Sequence, residues 1–212
     1  MKNKIILHCS DSDFGDAATI DRWHRERGWD GIGYHYVILN GQIASDVFLD
    51  SKVGAVEEGR PVSQDGAHCR GYNKTSIGIC MIGKGQIKHR VIQSALDLCM
   101  DLSSHYSIDV EDVIGHYETT SGKKQGKTCP DIDMRSFRAA LRLRLPIREY
   151  VTTIDGKCSI SVRVKAVSQK NAEQETRRAL MAGLPALSTG DGRVDVELYG
   201  FTTIGSTHEE KE

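Results

Sequence analysis

No apolar run in these 212 residues approaches the length that spans a bilayer, so an inserted helix is excluded. Neither sign of charge dominates: 28 Lys plus Arg stand against 29 Asp plus Glu, and no net basic charge argues for a nucleic-acid partner. Internal repeats and low-complexity tracts are missing, and prolines number only four. The six cysteines (Cys9, Cys69, Cys80, Cys99, Cys129 and Cys158) lack the dense spacing of a disulfide framework. They read as small buried residues of a reducing compartment, with one left over for a metal. The N-terminus carries lysines, but only Ile5-Ile6-Leu7 precede His8, too few for the apolar core of a signal peptide. Synthesis and folding in a cytoplasm are therefore expected. What remains is an ordinary globular composition, 39% hydrophobic and 27% charged. The length suits one sizeable domain with a small appendage.

Strand-like and helix-like segments alternate. Ile5 to Cys9 is a short buried-strand pattern, and about 17 to 27 is helical, with Ile20 and Trp23 on one face and Gly28 as its stop. Tyr34 to Leu39, Asn40-Gly41 and Gln42 to Ala44 read as a hairpin, because both turn residues tolerate positive φ. Residues 47 to 74 read as a long excursion, and loops of that length inside a compact domain are usually functional. Thr75 to Ile82 is a further buried strand, about 90 to 106 a helix, and Val113-Ile114-Gly115 a short strand ending at His116. About 133 to 144 is a basic amphipathic helix with Phe137, Leu141 and Leu145 inward, its charges read as a solvated face. After Pro146 the alternation over 160 to 166, a helix from Ser168 or Asn171 to Met181, and a second alternation at Val194, Val196 and Leu198 predict a strand-helix-strand module.

Two strands that each end in histidine, with Cys129 thirteen residues after the second, suggest a metal site. Neutral imidazole and thiolate are preferred zinc ligands, and three protein ligands leave an open fourth position for chemistry. Ligand counting alone leaves the bland reading standing, since the chain has eight histidines and each of these residues is also explained by packing.

The surrounding motifs weigh against that bland reading. In order along the chain stand His8-Cys9-Ser10, Gly33-Tyr34-His35-Tyr36-Val37-Ile38, Gly66-Ala67-His68, Gly71-Tyr72-Asn73, Ser76-Ile77-Gly78-Ile79 and Lys127-Thr128-Cys129-Pro130. Trp23-His24, Arg27-Gly28-Trp29 and Ile32 add a helix and its exit. Together these resemble the zinc-dependent N-acetylmuramoyl-L-alanine amidases of the bacteriophage lysozyme and peptidoglycan recognition protein type, over residues from about 4 to 145. The resemblance implies one zinc ion on His8, His116 and Cys129. It implies Tyr34 and Lys127 as catalytic groups, and puts His68 and Asn73 on the substrate side, with loop ordering as the other job for Asn73. Lys127 is expected to stabilise the oxyanion. Tyr34 is expected to orient water or shuttle a proton, with nearby cations lowering its pKa. Lys123 and Lys124 share the loop with Lys127 and stay as rivals, because the Tyr117–Thr128 segment is longer than the family's usual loop. His35 is expected to be structural, Cys9 to be buried, and His24, His89, His105 and His208 to be surface or packing residues.

The expected fold is mixed α/β, a central mixed sheet flanked by helices. A catalytic domain spans 1–147, a small α+β module 148–207 and a polar tail 208–212. The expected function is hydrolysis of the amide between N-acetylmuramic acid and L-alanine in bacterial peptidoglycan, by a phage or prophage endolysin. Such an enzyme waits in the host cytoplasm until a separate protein opens the membrane. No nucleic acid and no membrane insertion are expected. The alternative is a non-catalytic peptidoglycan-binding module on the same fold, against which the presence of His8, His116 and Cys129 counts. For the C-terminal module, wall binding or self-association is the expectation.

Overall fold

Lys4–Cys9 (β1) carries three consecutive apolar residues, and such a run suits a strand covered on both faces rather than one. A computed structural model describes residues 1–144, the backbones of 148–154, 158–166 and 202–203, and positions 170 and 174. In it, Ile5, Ile6 and Leu7 are wholly buried. The other strands of the first unit are Tyr36–Ala44 (β2), Val47–Glu58 (β3), Ser76–Met81 (β4) and Val113–Gly115 (β5). They form one mixed sheet of order β3-β2-β4-β1-β5, in which β1 runs parallel to both β4 and β5 and only β3 is antiparallel to its neighbour.

Helices flank this sheet. Ala17–Glu26 (α1) is capped by Asp16, whose carboxylate accepts from the Thr19 N–H at 2.7 Å. Its Ile20 packs with Ile32, Val37, Leu39, Cys80 and Ile82. His89–Tyr106 (α2) buries Val91, Ala95, Leu96, Cys99 and Leu102, the helical spacing the sequence predicts. Thr120–Lys124 (α3) is one short turn beside the site, and Met134–Arg144 (α4) buries Met134, Phe137 and Leu141. Leu145, the third inward residue expected there, lies outside the described residues. No described helix is long and apolar enough to cross a membrane.

Two local expectations are corrected. Asn40-Gly41 is not the hairpin turn; it lies inside β2, and Ser45-Asp46 makes the turn into β3. The pairing register shifts on either side of Asn40. Positive φ at Gly41 (90°) therefore serves a bulge, with the Asn40 side chain bonding Asp13 O and the Gln42 N–H. A Cβ at Gly41 would meet Val53 at 2.6 Å, so the partner strand itself demands glycine. The excursion expected from residue 47 is, up to Glu58, a twelve-residue strand. Its polar residues reflect an exposed edge rather than a loop.

The chain divides into two units, Met1–Arg144 and Leu145–Glu212. In the second, Arg148–Ile154 (β6) pairs antiparallel with Cys158–Ala166 (β7), and β7 pairs with Thr202–Thr203 (β8). The strand expected over 160–166 is there, whereas β6 was not foreseen, because its apolar residues do not keep a period of two. Lys170 and Gln174 are helical, within the helix expected after Ser168. The rest of that helix, the alternation at 194–198 and the tail from 208 lie outside the described residues.

Candidate active site

Sheet register creates the first half of the site. β1 and β5 run parallel with Leu7 opposite Gly115, so the next residue of each chain segment, His8 and His116, comes side by side. Their ring centroids are 4.5 Å apart, close to the spacing of neighbouring strands. Cys129 comes from the loop after α3. Its carbonyl accepts from the Tyr117 N–H at 2.9 Å, and its sulfur accepts from the Cys9 N–H at 3.0 Å. The loop is thereby tied to the ends of both histidine-bearing strands.

One donor atom from each of His8, His116 and Cys129 lies within 4.8 Å of the others. A tetrahedral zinc ion with nitrogen and sulfur ligands sets them about 3.3–3.8 Å apart, so this donor set fits one ion with a small closing movement. Both histidines are buried and Cys129 is half-buried. Burial, then the neighbouring His68 and His116, hold the His8 pKa well below its usual value, keeping the ring neutral as ligation requires.

These residues are braced by their neighbours. The Thr119 hydroxyl donates to His116 O at 2.8 Å. Glu118 accepts from the Gly115 N–H at 2.8 Å and takes both Arg138 nitrogens at 2.9 Å, locking the His116 turn to α4. Burial would raise the Glu118 pKa, but Arg138 and the Gly115 N–H outweigh it and hold the carboxyl below its usual range. Cys69 Sγ lies 3.3 Å from Ser121 Oγ and 3.6 Å from Thr119 Oγ1. Burial opposes its ionisation, yet contacts with His116, Ser121 and Thr119 prevail and lower its pKa. Cys9 is buried, and its thiol donates to Asp131 at 3.3 Å. The Cys129 sulfur, and then burial, push the Cys9 thiol far up, so it stays protonated.

Beside this group, Tyr34 tilts against His8 with centroids 5.1 Å apart. Its hydroxyl pKa is raised, not lowered as expected from sequence: burial and the thiols of Cys80, Cys129 and Cys9 outweigh Arg27, the one cation pulling it down. His68 lies within hydrogen-bond distance of His8, Nδ1 to Nε2, at 3.1 Å. Asn73 turns its amide oxygen to the His68 and Cys69 N–H groups, at 2.9 and 2.8 Å. Lys127 is exposed two residues before Cys129, and its amine has no partner among the described residues. Lys123 lies near enough to Glu118 to help lower that carboxyl's pKa. His24 is buried rather than exposed, its Nδ1 accepting from the Gly33 N–H at 2.9 Å.

A family model described as N-acetylmuramoyl-L-alanine amidase matches residues 2–132. The endolysin of Klebsiella phage KP32 is 30% identical over 150 residues, covering 64% of this chain and 84% of that protein. The endolysin of Escherichia phage T7 is 31% identical over 144 residues, covering 63% and 83%. Among solved structures, the N-acetylmuramoyl-L-alanine amidase LysC from Clostridium intestinale URNW superposes with a TM-score of 0.54 at 26% identity, over 66% of this chain and 85% of that one. The chain belongs to the N-acetylmuramoyl-L-alanine amidase family. This amidase is a hydrolase that cleaves the amide between N-acetylmuramic acid and L-alanine.

Of the amidase's sequence-predicted site residues, the structure brings His8, His116, Cys129, Tyr34 and His68 together, sets Asn73 behind His68 and leaves Lys127 in solvent. Arg138 was missed, having been read with a solvated basic face. In fact its side chain is 17% exposed and paired with Glu118. Its one sequence signal is an acid directly after the ligand turn, too common to stand out. Cys69 carried no metal-like spacing, and its contacts are with Thr119, Ser121 and His116.

Proposed function

We propose that this amidase is zinc-dependent, with one ion held by His8, His116 and Cys129, and that it is an endolysin acting on bacterial peptidoglycan. What supports the reading is the convergence of two buried imidazoles and one half-buried thiol, with donor atoms within 4.8 Å. Bound there, zinc supplies a Lewis acid that polarises the scissile carbonyl and makes water acidic enough to attack near neutral pH.

The chain's own groups do the remaining work. Tyr34, packed against His8, holds its neutral hydroxyl toward the reacting carbonyl or the attacking water and orients it. Lys127 swings its free amine over the site as substrate binds, to stabilise the oxyanion of the tetrahedral intermediate. His68 and Asn73 shape the floor on the substrate side through the loop they share. Collapse of the intermediate breaks the C–N bond, leaving a carboxylate on the muramoyl lactyl group and a protonated amine on L-alanine.

Relatives in two phages bear the name endolysin, which supports synthesis in a host cytoplasm and action on the wall after release. For residues 148–207, wall contact or self-association is the proposed role. The test of the catalytic reading is digestion of purified peptidoglycan with and without chelator, followed by mass spectrometry of the new ends. New L-alanine amino termini, lost on chelation and restored by zinc, are expected. Uncut muramoyl-alanine linkages in the presence of folded, zinc-loaded protein would refute it and leave a binding module.

A further inference from the structure

We infer that His68 is a positioning residue for His8, the last link of a hydrogen-bond relay that starts at the Tyr72 carbonyl and leaves Nδ1 of His8 as its free lone pair. The direction of each link follows from counting protons. The Ser76 hydroxyl donates to Tyr72 O at 2.7 Å, which commits its only proton. Toward His68 Nε2, 3.4 Å away, Ser76 Oγ can then only accept, so the His68 proton sits on Nε2. A neutral imidazole carries one N–H, and His68 Nδ1 is left as an acceptor. Nε2 of His8, at 3.1 Å, must donate to it, and the bare nitrogen of His8 is Nδ1.

The surroundings hold this arrangement in place. His8 is buried and His68 half-buried, each set against a further histidine ring, His116 beside His8 and His35 beside His68, surroundings that disfavour a second proton on either. The His68 main chain is clamped by Asn73. Its ring is seated between Gly66 and Gly78, where a Cβ on either would come within 2.5 Å of it. His35, which accepts from the Gly78 N–H at 2.9 Å, meets the His68 ring edge-on at 5.6 Å. Lining a groove alone needs none of this; a fixed acceptor beside His8 needs all of it.

The tautomer half of the inference stands without a metal, while its consequence for binding rests on the zinc reading. Two measurements separate them. Long-range ¹H–¹⁵N spectra of the metal-free, full-length protein are expected to show the proton on Nε2 of both His8 and His68. A His8 proton on Nδ1 would overturn the relay. Zinc affinity, read by competition with a chromophoric chelator, is expected to fall about 10- to 100-fold in His68→Phe and to recover largely in His68→Asn, whose amide oxygen again accepts from His8. An affinity in His68→Phe within about twofold of the parent would overturn the positioning role. Should that variant not fold, the tautomer spectrum and the affinities of His68→Asn and Ser76→Ala decide. Ser76→Ala is expected to bind zinc more weakly than His68→Asn, and the reverse order would count against the relay. A parent protein that shows the stated tautomers but takes up no zinc would sink the zinc reading and leave the relay standing.

Discussion

The main-chain N–H of Cys9 points at the Cys129 sulfur across 3.0 Å, so one strand end supports two of the candidate ligands. His8 offers its ring, and the next residue offers its backbone to the thiol. A hydrogen bond to sulfur stabilises the thiolate and fixes its direction, as outer-shell donors do in metal sites. Because the donor is backbone, no side-chain change at position 9 removes it.

Cys129→Ser keeps the shape of the loop but puts a poor zinc ligand at the position. Its loss of metal affinity is expected to exceed the roughly 10- to 100-fold that outer-shell changes cost. Metal content after dialysis and peptidoglycan release, measured on the same samples, should fall together. Full metal retention with lost activity would move Cys129 out of the ligand set.

Lys127→Ala is expected to leave metal content unchanged and to lower kcat by about 10²–10³-fold, the cost of removing one oxyanion-stabilising group. Lys123→Ala should be near neutral, because Lys123 already faces Glu118. If the two variants exchange phenotypes, the catalytic lysine is the one on α3.

Arg138→Ala breaks a half-buried bidentate pair and strands Glu118 beside the His116 turn. Hydrogen bonds to charged groups contribute about 1.5–3 kcal/mol, and a loss of that size is expected in urea unfolding of the variant. Arg138→Lys should recover only part of it, since an ammonium does not reproduce the fork. A loss below about 0.5 kcal/mol would show the pair to be no stronger than a solvent-exposed one.

His35 gives the fold an acid-sensitive element. Burial pulls its pKa down to about 4, helped by Lys2 and Arg60 and opposed by Gln64 O and Asp65. The unfolded chain takes up the proton first, near pH 6.5, so the His35 contribution is complete above that pH. It declines as pH falls and is gone by about pH 4, with a ceiling of about 3 kcal/mol. In metal-free protein, His35→Asn keeps an acceptor for the Gly78 N–H without titrating. Its unfolding free energy should fall less between pH 7 and pH 4.5 than that of the parent. Equal falls would assign the acid sensitivity elsewhere.

Much of this was legible in the sequence because it follows from local pattern. β1, β4 and the long helices announce themselves through apolar runs and helical spacing, and the candidate metal group through two histidines at strand ends and a cysteine in a loop motif. Non-local partners stayed hidden. Asn40-Gly41 carries every mark of a turn, yet it became a bulge because Val53 on the neighbouring strand crowds Gly41. Nothing near residue 68 says that its ring reaches His8, since that contact exists only once β1 and β4 lie side by side. The raised pKa of Tyr34 was missed for the same reason: sequence shows cations nearby, but burial is a property of the assembled core.

The parallel pairing of β1 with β5 has a kinetic consequence. The two segments stand at opposite ends of the first unit, so they meet only after most of the intervening chain has closed around them. Contacts of such long sequence separation are expensive to form early and tend to arrive after the main folding barrier. An ion on His8 and His116 is therefore a latch rather than a seed. If zinc is held there, chelation should leave the refolding rate nearly untouched and quicken unfolding, so the metal would govern the enzyme's lifetime more than its ability to fold.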